Sequence, residues 1–270
     1  MRVAASVKDA LNRDPVLTGK NTSLNEAVKG MLSTEISHLL VVDGERLVGI
    51  VSEKDVLSKL ATIRTWSAST GGLHVSSFVK RKPFTLSPDT SLQDAVRVML
   101  RENLGAVPVM ESGRLIGLLT KEDVLKVLKI KGNVAVREIA THKLITLSPR
   151  DTLAYARRII VEKMLSSLPV IEGFKLLGVL TDVRAMEAVV RLYELAPWNV
   201  RRERFRKLLV QDVFERKCTC ITPAEPVSSL VERILEERAK SVLVVEKNNL
   251  LGIVTKSDVL LYALQEVIGR

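Results

Sequence analysis

With 270 residues, 46% of them hydrophobic, the chain can bury a sizeable core and has the length of about two ordinary domains. No apolar run approaches the ~18 residues of a membrane span, and Lys8 and Asp9 interrupt the N-terminus before any signal-peptide-like stretch, so a soluble cytoplasmic protein with no membrane partner is expected. The net charge of +10 favours anionic partners without choosing among them, and two cysteines, Cys218 and Cys220, are too few for a disulfide framework and lack the neighbours of a zinc site.

Four short runs are built alike: Gly49-Ile50-Val51-Ser52, Gly117-Leu118-Leu119-Thr120, Gly178-Val179-Leu180-Thr181 and Gly252-Ile253-Val254-Thr255. Thirty residues before each glycine stand Gly19, Ser87, Ser148 and Thr222, the last three followed by Pro88, Pro149 and Pro223. Twenty-two before stand Ala27, Ala95, Ala156 and Leu230, each inside an amphipathic helical pattern such as Leu92, Val96, Met99 and Leu100. The copies align without a gap, which marks an internal repeat.

In chain order, the second copy predicts a short strand at Phe84, Thr85 and Leu86, then a turn at Ser87-Pro88-Asp89. Thr90 with Gln93 reads as a capping box opening a helix of about 13 residues, to near Glu102 or Asn103. Val107-Pro108-Val109 is a buried strand, Glu111-Ser112-Gly113 a hairpin turn, and Leu115 to Leu119 a third strand. A second helix starts near Thr120 and runs through Val124, Leu125 and Leu128. The unit is β-α-β-β-α, and the repeats are placed at residues 1–62, 73–130, 131–192 and 207–270. Glycine spacings of 68, 61 and 74 leave long connections after repeats 1 and 3, with Trp66 in one and Trp198 in the other, each expected to anchor its linker on the core.

This pattern resembles the CBS (cystathionine β-synthase) domain, through its element order, the strand Val107-Pro108-Val109, and a closing signature of glycine, two aliphatics, Thr or Ser, two variable residues and Asp. The likeness covers nearly the whole chain apart from the linkers. The signature aspartate is Asp55, Asp123 and Asp258 in repeats 1, 2 and 4, whereas repeat 3 has Arg184 there and Asp182 two residues earlier. The resemblance implies an α/β (α+β) fold of four CBS repeats packed as two pseudo-twofold pairs, 1 with 2 and 3 with 4. It further implies clefts within each pair that bind AMP, ADP, ATP or S-adenosylmethionine. Four repeats in one chain are similar to the regulatory γ subunit of AMP-activated protein kinase.

The residues fit a ribose reader. Ser52 with Asp55, Thr120 with Asp123, and Thr255 with Asp258 lie three apart and share a face of the first helical turn, where a carboxylate can accept from both ribose hydroxyls. The same pairs would also cap a helix, but three matched copies favour a ligand role. The glycine is read as letting the backbone come close. Arg184 has no lone pair for ribose, so repeat 3 is expected to be silent, or to lend a fork donor to phosphates in a neighbouring site. Lys54, Lys121 and Lys256 beside the signature could neutralise phosphate, and solvated lysines are an equal reading; the family's placement of basic residues adds His38 and Lys240. His74 and His142 are expected to be ordinary surface residues.

No nucleophile elbow, Walker loop, dinucleotide fingerprint or metal spacing is present, so no catalysis, metal or required cofactor is expected. A second reading is nucleic-acid binding through Arg201, Arg202, Arg204, Arg206 and Lys207. On a helix that segment would point Phe205, Leu208 and Leu209 inward and Arg202 and Arg206 outward, which a linker helix covering the core would also do. Aromatics at 4% give little for a base-stacking platform. A third reading is a docking scaffold without ligand. The leading expectation is an adenosine-nucleotide sensor acting on a separate effector protein, as a monomer or homodimer.

Overall fold

The computed structural model describes residues 5–62, 66–67, 72–128 and 134–268. Repeat 1 contains β1 (Leu17–Gly19), α1 (Leu24–Thr34), β2 (His38–Asp43), β3 (Arg46–Ser52) and α2 (Glu53–Lys59), followed by β4 (Lys80–Arg81). Repeat 2 has α3 (Leu92–Arg101), β5 (Ala106–Glu111), β6 (Arg114–Thr120) and α4 (Lys121–Val127). Repeat 3 has α5 (Leu153–Glu162), β7 (Ser167–Glu172), β8 (Lys175–Thr181) and α6 (Asp182–Leu195), then a linker helix α7 (Trp198–Lys207). Repeat 4 has β9 (Cys220–Ile221), α8 (Val227–Glu236), β10 (Ser241–Glu246), β11 (Asn249–Thr255) and α9 (Lys256–Ile268).

Every repeat is built on one antiparallel hairpin, with a bulge beside its signature glycine and left-handed residues at its tip. In repeat 2, Val109 pairs with Gly117 and Met110 with Leu115, while Ser112 and Gly113 turn at φ 48 and 80°. The expected first strand is short: three residues parallel to β2 in repeat 1, and single bridges at Leu86 and Leu147 in repeats 2 and 3. The helix expected to be capped by Thr90 starts one residue later, where the Ser91 hydroxyl accepts from the Asp94 amide at 3.0 Å. The Thr90 carbonyl is taken instead by the Val7 amide at 2.9 Å.

That bond belongs to a recurring exchange. The segment opening each repeat packs on its chain neighbour, reciprocally. Val7 and Asn12 bond Thr90 and Leu118, Val75 and Ser76 bond Thr22 and Lys20, Val136 and Thr141 bond Glu225 and Ile253, and Val210 and Glu215 bond Asp151 and Val179, all through the backbone at 2.8–3.1 Å. The signature glycines lie under these crossings. A Cβ on Gly117 would stand 2.4 Å from the Asn12 carbonyl oxygen, and one on Gly178 2.0 Å from that of Glu215. The close approach that these glycines allow is made by another stretch of this chain.

The chain divides into two compact units, residues 1–15, 84–144 and 218–270, and residues 16–83 and 145–217. Apolar cores thus join repeat 2 with repeat 4 and repeat 1 with repeat 3, in addition to the exchange of opening segments between repeats 1 and 2 and between repeats 3 and 4. The cause is visible in the side chains. In one unit Leu92, Val96 and Met99 of α3 share a core with Leu230 and Ile234 of α8 and Val259 and Leu260 of α9. In the other, Leu24, Val28 and Met31 of α1 and Val56 and Leu57 of α2 pack with Leu153 and Ile160 of α5 and Met186 and Val189 of α6. Chain neighbours are linked by exchanged segments, and alternate repeats by shared cores.

In the second unit Trp66 anchors its linker as expected, stacked on Tyr193 at 5.7 Å and beside Phe205 at 5.5 Å. Trp198 differs: it opens α7 at 65% exposure, so the anchor there is Arg201. That buried guanidinium lies 5.0 Å over the Tyr193 ring and donates to the carbonyls of Ala196 and Tyr193 at 2.8 and 2.7 Å. Arg157 of α5 donates to the Leu57 and Leu60 carbonyls at 2.7 and 2.9 Å and so closes the C-terminal end of α2 from another repeat.

Gly117→Ala is expected to lower stability by about 1–3 kcal/mol through the clash with Asn12. Gly30→Ala, in α1 with nothing within 4 Å of the added methyl, should raise it by about 0.5–1 kcal/mol. Urea unfolding midpoints of the two variants check both signs.

Candidate functional site

At the ends of β3, β6 and β11 the chain turns directly into a helix, so the hydroxyl residue becomes the N-cap and the aspartate the third helical position. Ser52 donates through its amide and its hydroxyl to Oδ2 of Asp55, at 2.9 and 2.5 Å. Thr120 does the same to Asp123 at 3.0 and 2.5 Å, and Thr255 to Asp258 at 2.7 Å through each group. The Asp123 amide returns a bond to the Thr120 hydroxyl at 3.1 Å. The sequence pairs are thus assembled, those of Ser52 and Thr120 as reciprocal capping boxes. The other oxygen of Asp123, Oδ1, lies 3.4 Å from Lys126 Nζ.

Repeat 3 makes half of this cap. The Arg184 amide donates to the Thr181 hydroxyl at 3.2 Å, and no carboxylate answers from that position. The guanidinium donates to Glu215 and Glu187, each at 2.8 Å, and the Glu215 bond foremost holds it above the usual arginine range. A phosphate contact by Arg184 would have to displace two carboxylates.

The lysines expected near phosphate join repeats to each other. Lys121, buried, donates to the Ser257 hydroxyl at 2.8 Å, and Lys256 donates to Glu122 at 2.7 Å, so the starts of α4 and α9 are bridged twice. In the other unit Lys54 donates to Ser166 and to the Met164 carbonyl at 2.9 and 3.1 Å, and lies 3.8 Å from Asp182, which is 2% exposed. Burial would raise the Glu122 carboxyl, but the Lys256 ammonium outweighs it and holds the group below the usual glutamate range. His38 and Lys240 are half-buried beside the strand ends, His38 opposite Ser52 in the β2–β3 register and Lys240 immediately before Ser241, which pairs with Thr255. Two histidines expected on the surface have structural bonds: His74 to the Asn21 carbonyl at 2.7 Å, and His142 to those of Leu251 and Arg137, both at 3.0 Å.

Sequence reasoning missed Glu122, Asp182, Ser166 and Ser257. Their signal was the complementary chemistry at equivalent positions, Lys54 against Asp182 and Glu122 against Lys256, which is readable only once the facing repeats are known.

The family profile for the CBS domain matches residues 7–62, 75–130, 136–191 and 210–265. The chain belongs to the CBS-domain family, with four such domains in tandem. It is similar to protein MJ1225 of Methanocaldococcus jannaschii, at 23% identity over 192 residues covering 65% of this chain and 67% of that protein. The crystal structure of MJ1225, presented as a proposed archaeal homologue of the AMP-activated protein kinase γ subunit, matches 96% of this chain and 99% of its own with a TM-score of 0.84 at 20% identity. A conserved Pyrococcus horikoshii protein matches over the same shares with a TM-score of 0.62 at 18% identity. The inosine-5′-monophosphate dehydrogenase of Korarchaeum cryptofilum is 35% identical over 128 residues, which span 46% of this chain but only 25% of the enzyme. These structural likenesses carry the fold.

Because the folded pKa of Glu122 lies below its ordinary value, its contribution is fully present above about pH 4.5 and is lost as pH falls through the folded value. Glu122→Gln is expected to flatten that acid limb of the unfolding midpoint. An unchanged limb in a urea series between about pH 5 and pH 3 would remove the Lys256 pair from that role.

Proposed function

We propose that this chain is a non-catalytic regulatory protein that binds adenosine nucleotides, AMP, ADP or ATP, at its hydroxyl–aspartate signatures and passes the ligand state to a separate effector protein. The observation that carries this reading is the same preorganised carboxylate at three strand–helix junctions of a CBS-domain chain, Asp55, Asp123 and Asp258, each with one oxygen fixed by the cap. A carboxylate held at a strand–helix junction suits the paired hydroxyls of a ribose. S-adenosylmethionine carries the same ribose and belongs in the same test. Repeat 3 lacks the acceptor and is read as silent. Regulation would follow from a ligand that binds one arrangement of the protein better than another.

The nucleic-acid reading loses support in α7. Arg201 is buried, Phe205 packs inward, and Lys207 is held by Glu203 at 2.6 Å, leaving Arg202, Arg204 and Arg206 exposed on what serves as a covering helix. Such a patch would bind with steep salt dependence.

A thermal-shift panel of AMP, ADP, ATP, S-adenosylmethionine and a short duplex DNA tests these readings. A nucleotide at about 100 times its dissociation constant should stabilise the chain by about 2.7 kcal/mol, several degrees at this size. Asp258→Asn keeps an oxygen for the cap and turns the other acceptor into a donor. It is expected to remove binding at one site with little loss of stability, as isothermal titration would report. If only DNA shifts the midpoint, the arginine helix takes over as the binding surface; if nothing does, a docking scaffold is left.

A further inference from the structure

Cys218 and Cys220 are the two cysteines of the chain. Both are half-buried and their sulfurs stand 3.7 Å apart. No other described group completes a metal site there: among the described residues no three His, Cys, Asp or Glu side chains are placed to hold an ion. The surroundings fix the backbone rather than shield the thiols. The Thr219 hydroxyl donates to Glu237 at 2.6 Å, Arg233 donates to the Cys220 carbonyl, and the Thr219 carbonyl accepts from the Leu243 amide at 2.9 Å. The hydrogen bond from the Cys218 thiol holds Cys220 down at about 7, against the effect of burial, while the same contact pushes Cys218 up. The contact favours the thiolate at Cys220 and the thiol at Cys218, 3.7 Å apart, the arrangement of an attacking and a resolving thiol.

We propose that Cys218 and Cys220 form an oxidisable dithiol that a hydroperoxide closes to an intrachain disulfide, with Cys220 attacking and Cys218 resolving. In the first step the Cys220 thiolate attacks a peroxide oxygen. The S–O bond forms, the O–O bond breaks, and its electron pair leaves on the second oxygen, which takes a proton; the sulfur is oxidised to a sulfenic acid and the peroxide reduced. In the second step the Cys218 sulfur attacks that of Cys220. The S–S bond forms, the S–O bond breaks, and the departing hydroxide carries the Cys218 proton away as water.

The bridge reaches the fold through Thr219. Extended chain sets residues two apart at about 6.7 Å between Cα atoms, near the outer limit for a disulfide, which prefers about 5.5–6 Å. Closure draws the backbone in at Thr219 and weakens its bond to Leu243, part of the two-residue pairing that holds β9 to β10. Strand β11, on the other side of β10, ends at Thr255 of the hydroxyl–aspartate pair. The inference needs no ligand and stands apart from the nucleotide reading.

The test treats the full reduced chain with hydrogen peroxide, alkylates it with iodoacetamide and weighs it intact without reductant. The expected product carries no label, is lighter by two hydrogens, regains both thiols with dithiothreitol, and exchanges the Leu243 amide faster than the reduced form. In Cys218→Ser a sulfenic acid at Cys220 should be trapped by dimedone, and Cys220→Ser should react with peroxide about tenfold more slowly. Full alkylation of the peroxide-treated wild type, a disulfide between two chains, or an unchanged rate in Cys220→Ser would overturn the proposal. The wild-type mass decides even if a serine variant fails to fold.

Discussion

The structure depends on a backbone crossing. A segment of one repeat lies against the hairpin strand of its chain neighbour, bonded both ways, as Asn12 is to Leu118 and Glu215 to Val179. At Gly117 and Gly178 the crossing leaves no room for a side chain on the strand beneath. The bulge beside each glycine goes with the same demand, since it removes one residue from the ladder where the exchanged strand must fit. Chain neighbours are thereby bound by directional hydrogen bonds, and alternate repeats by non-directional burial.

A second layer of specificity sits where helices of alternate repeats begin. In one unit two lysines meet one glutamate and a serine; in the other a lysine meets a nearly buried aspartate and a serine. Partly buried charges of this kind cost desolvation unless paired, and here each has a partner from the facing helix start or the residues beside it. They also explain why the lysines that looked suited to phosphate are held by protein groups. Ligand binding at the aspartates would have to coexist with these bonds.

What was legible in the sequence was local. The Gly-aliphatic-aliphatic-hydroxyl run fixes a strand ending in a helix cap, Ser112-Gly113 fixes a hairpin, and the spacing of Leu92, Val96 and Met99 fixes a helix face. Each signal concerns residues within a turn or two. Partner choice was not legible, because an apolar face carries no address: nothing in Val28 or Met31 says that Ile160 and Val189 will cover them. The exchange was equally hidden, since Val7 and Val210 sit in single short turns whose composition is ordinary. The cap moved from Thr90 to Ser91 for the same reason, a distant amide having claimed the Thr90 carbonyl. Of the candidate site, the hydroxyl–aspartate pairs were read correctly as neighbours, whereas the lysine partners depended on tertiary facts.

The division of the cores also sets an order on synthesis. Residues 16–83 share their core with residues 145–217, so the first repeat leaves the ribosome well before the helices that will cover α1 and α2 exist. At roughly 5–20 residues per second that wait lasts about 7–27 s, during which Leu24, Val28 and Met31 remain without their native cover. The nascent first repeat therefore exposes apolar surface in mid-synthesis, the state in which chains are prone to aggregate.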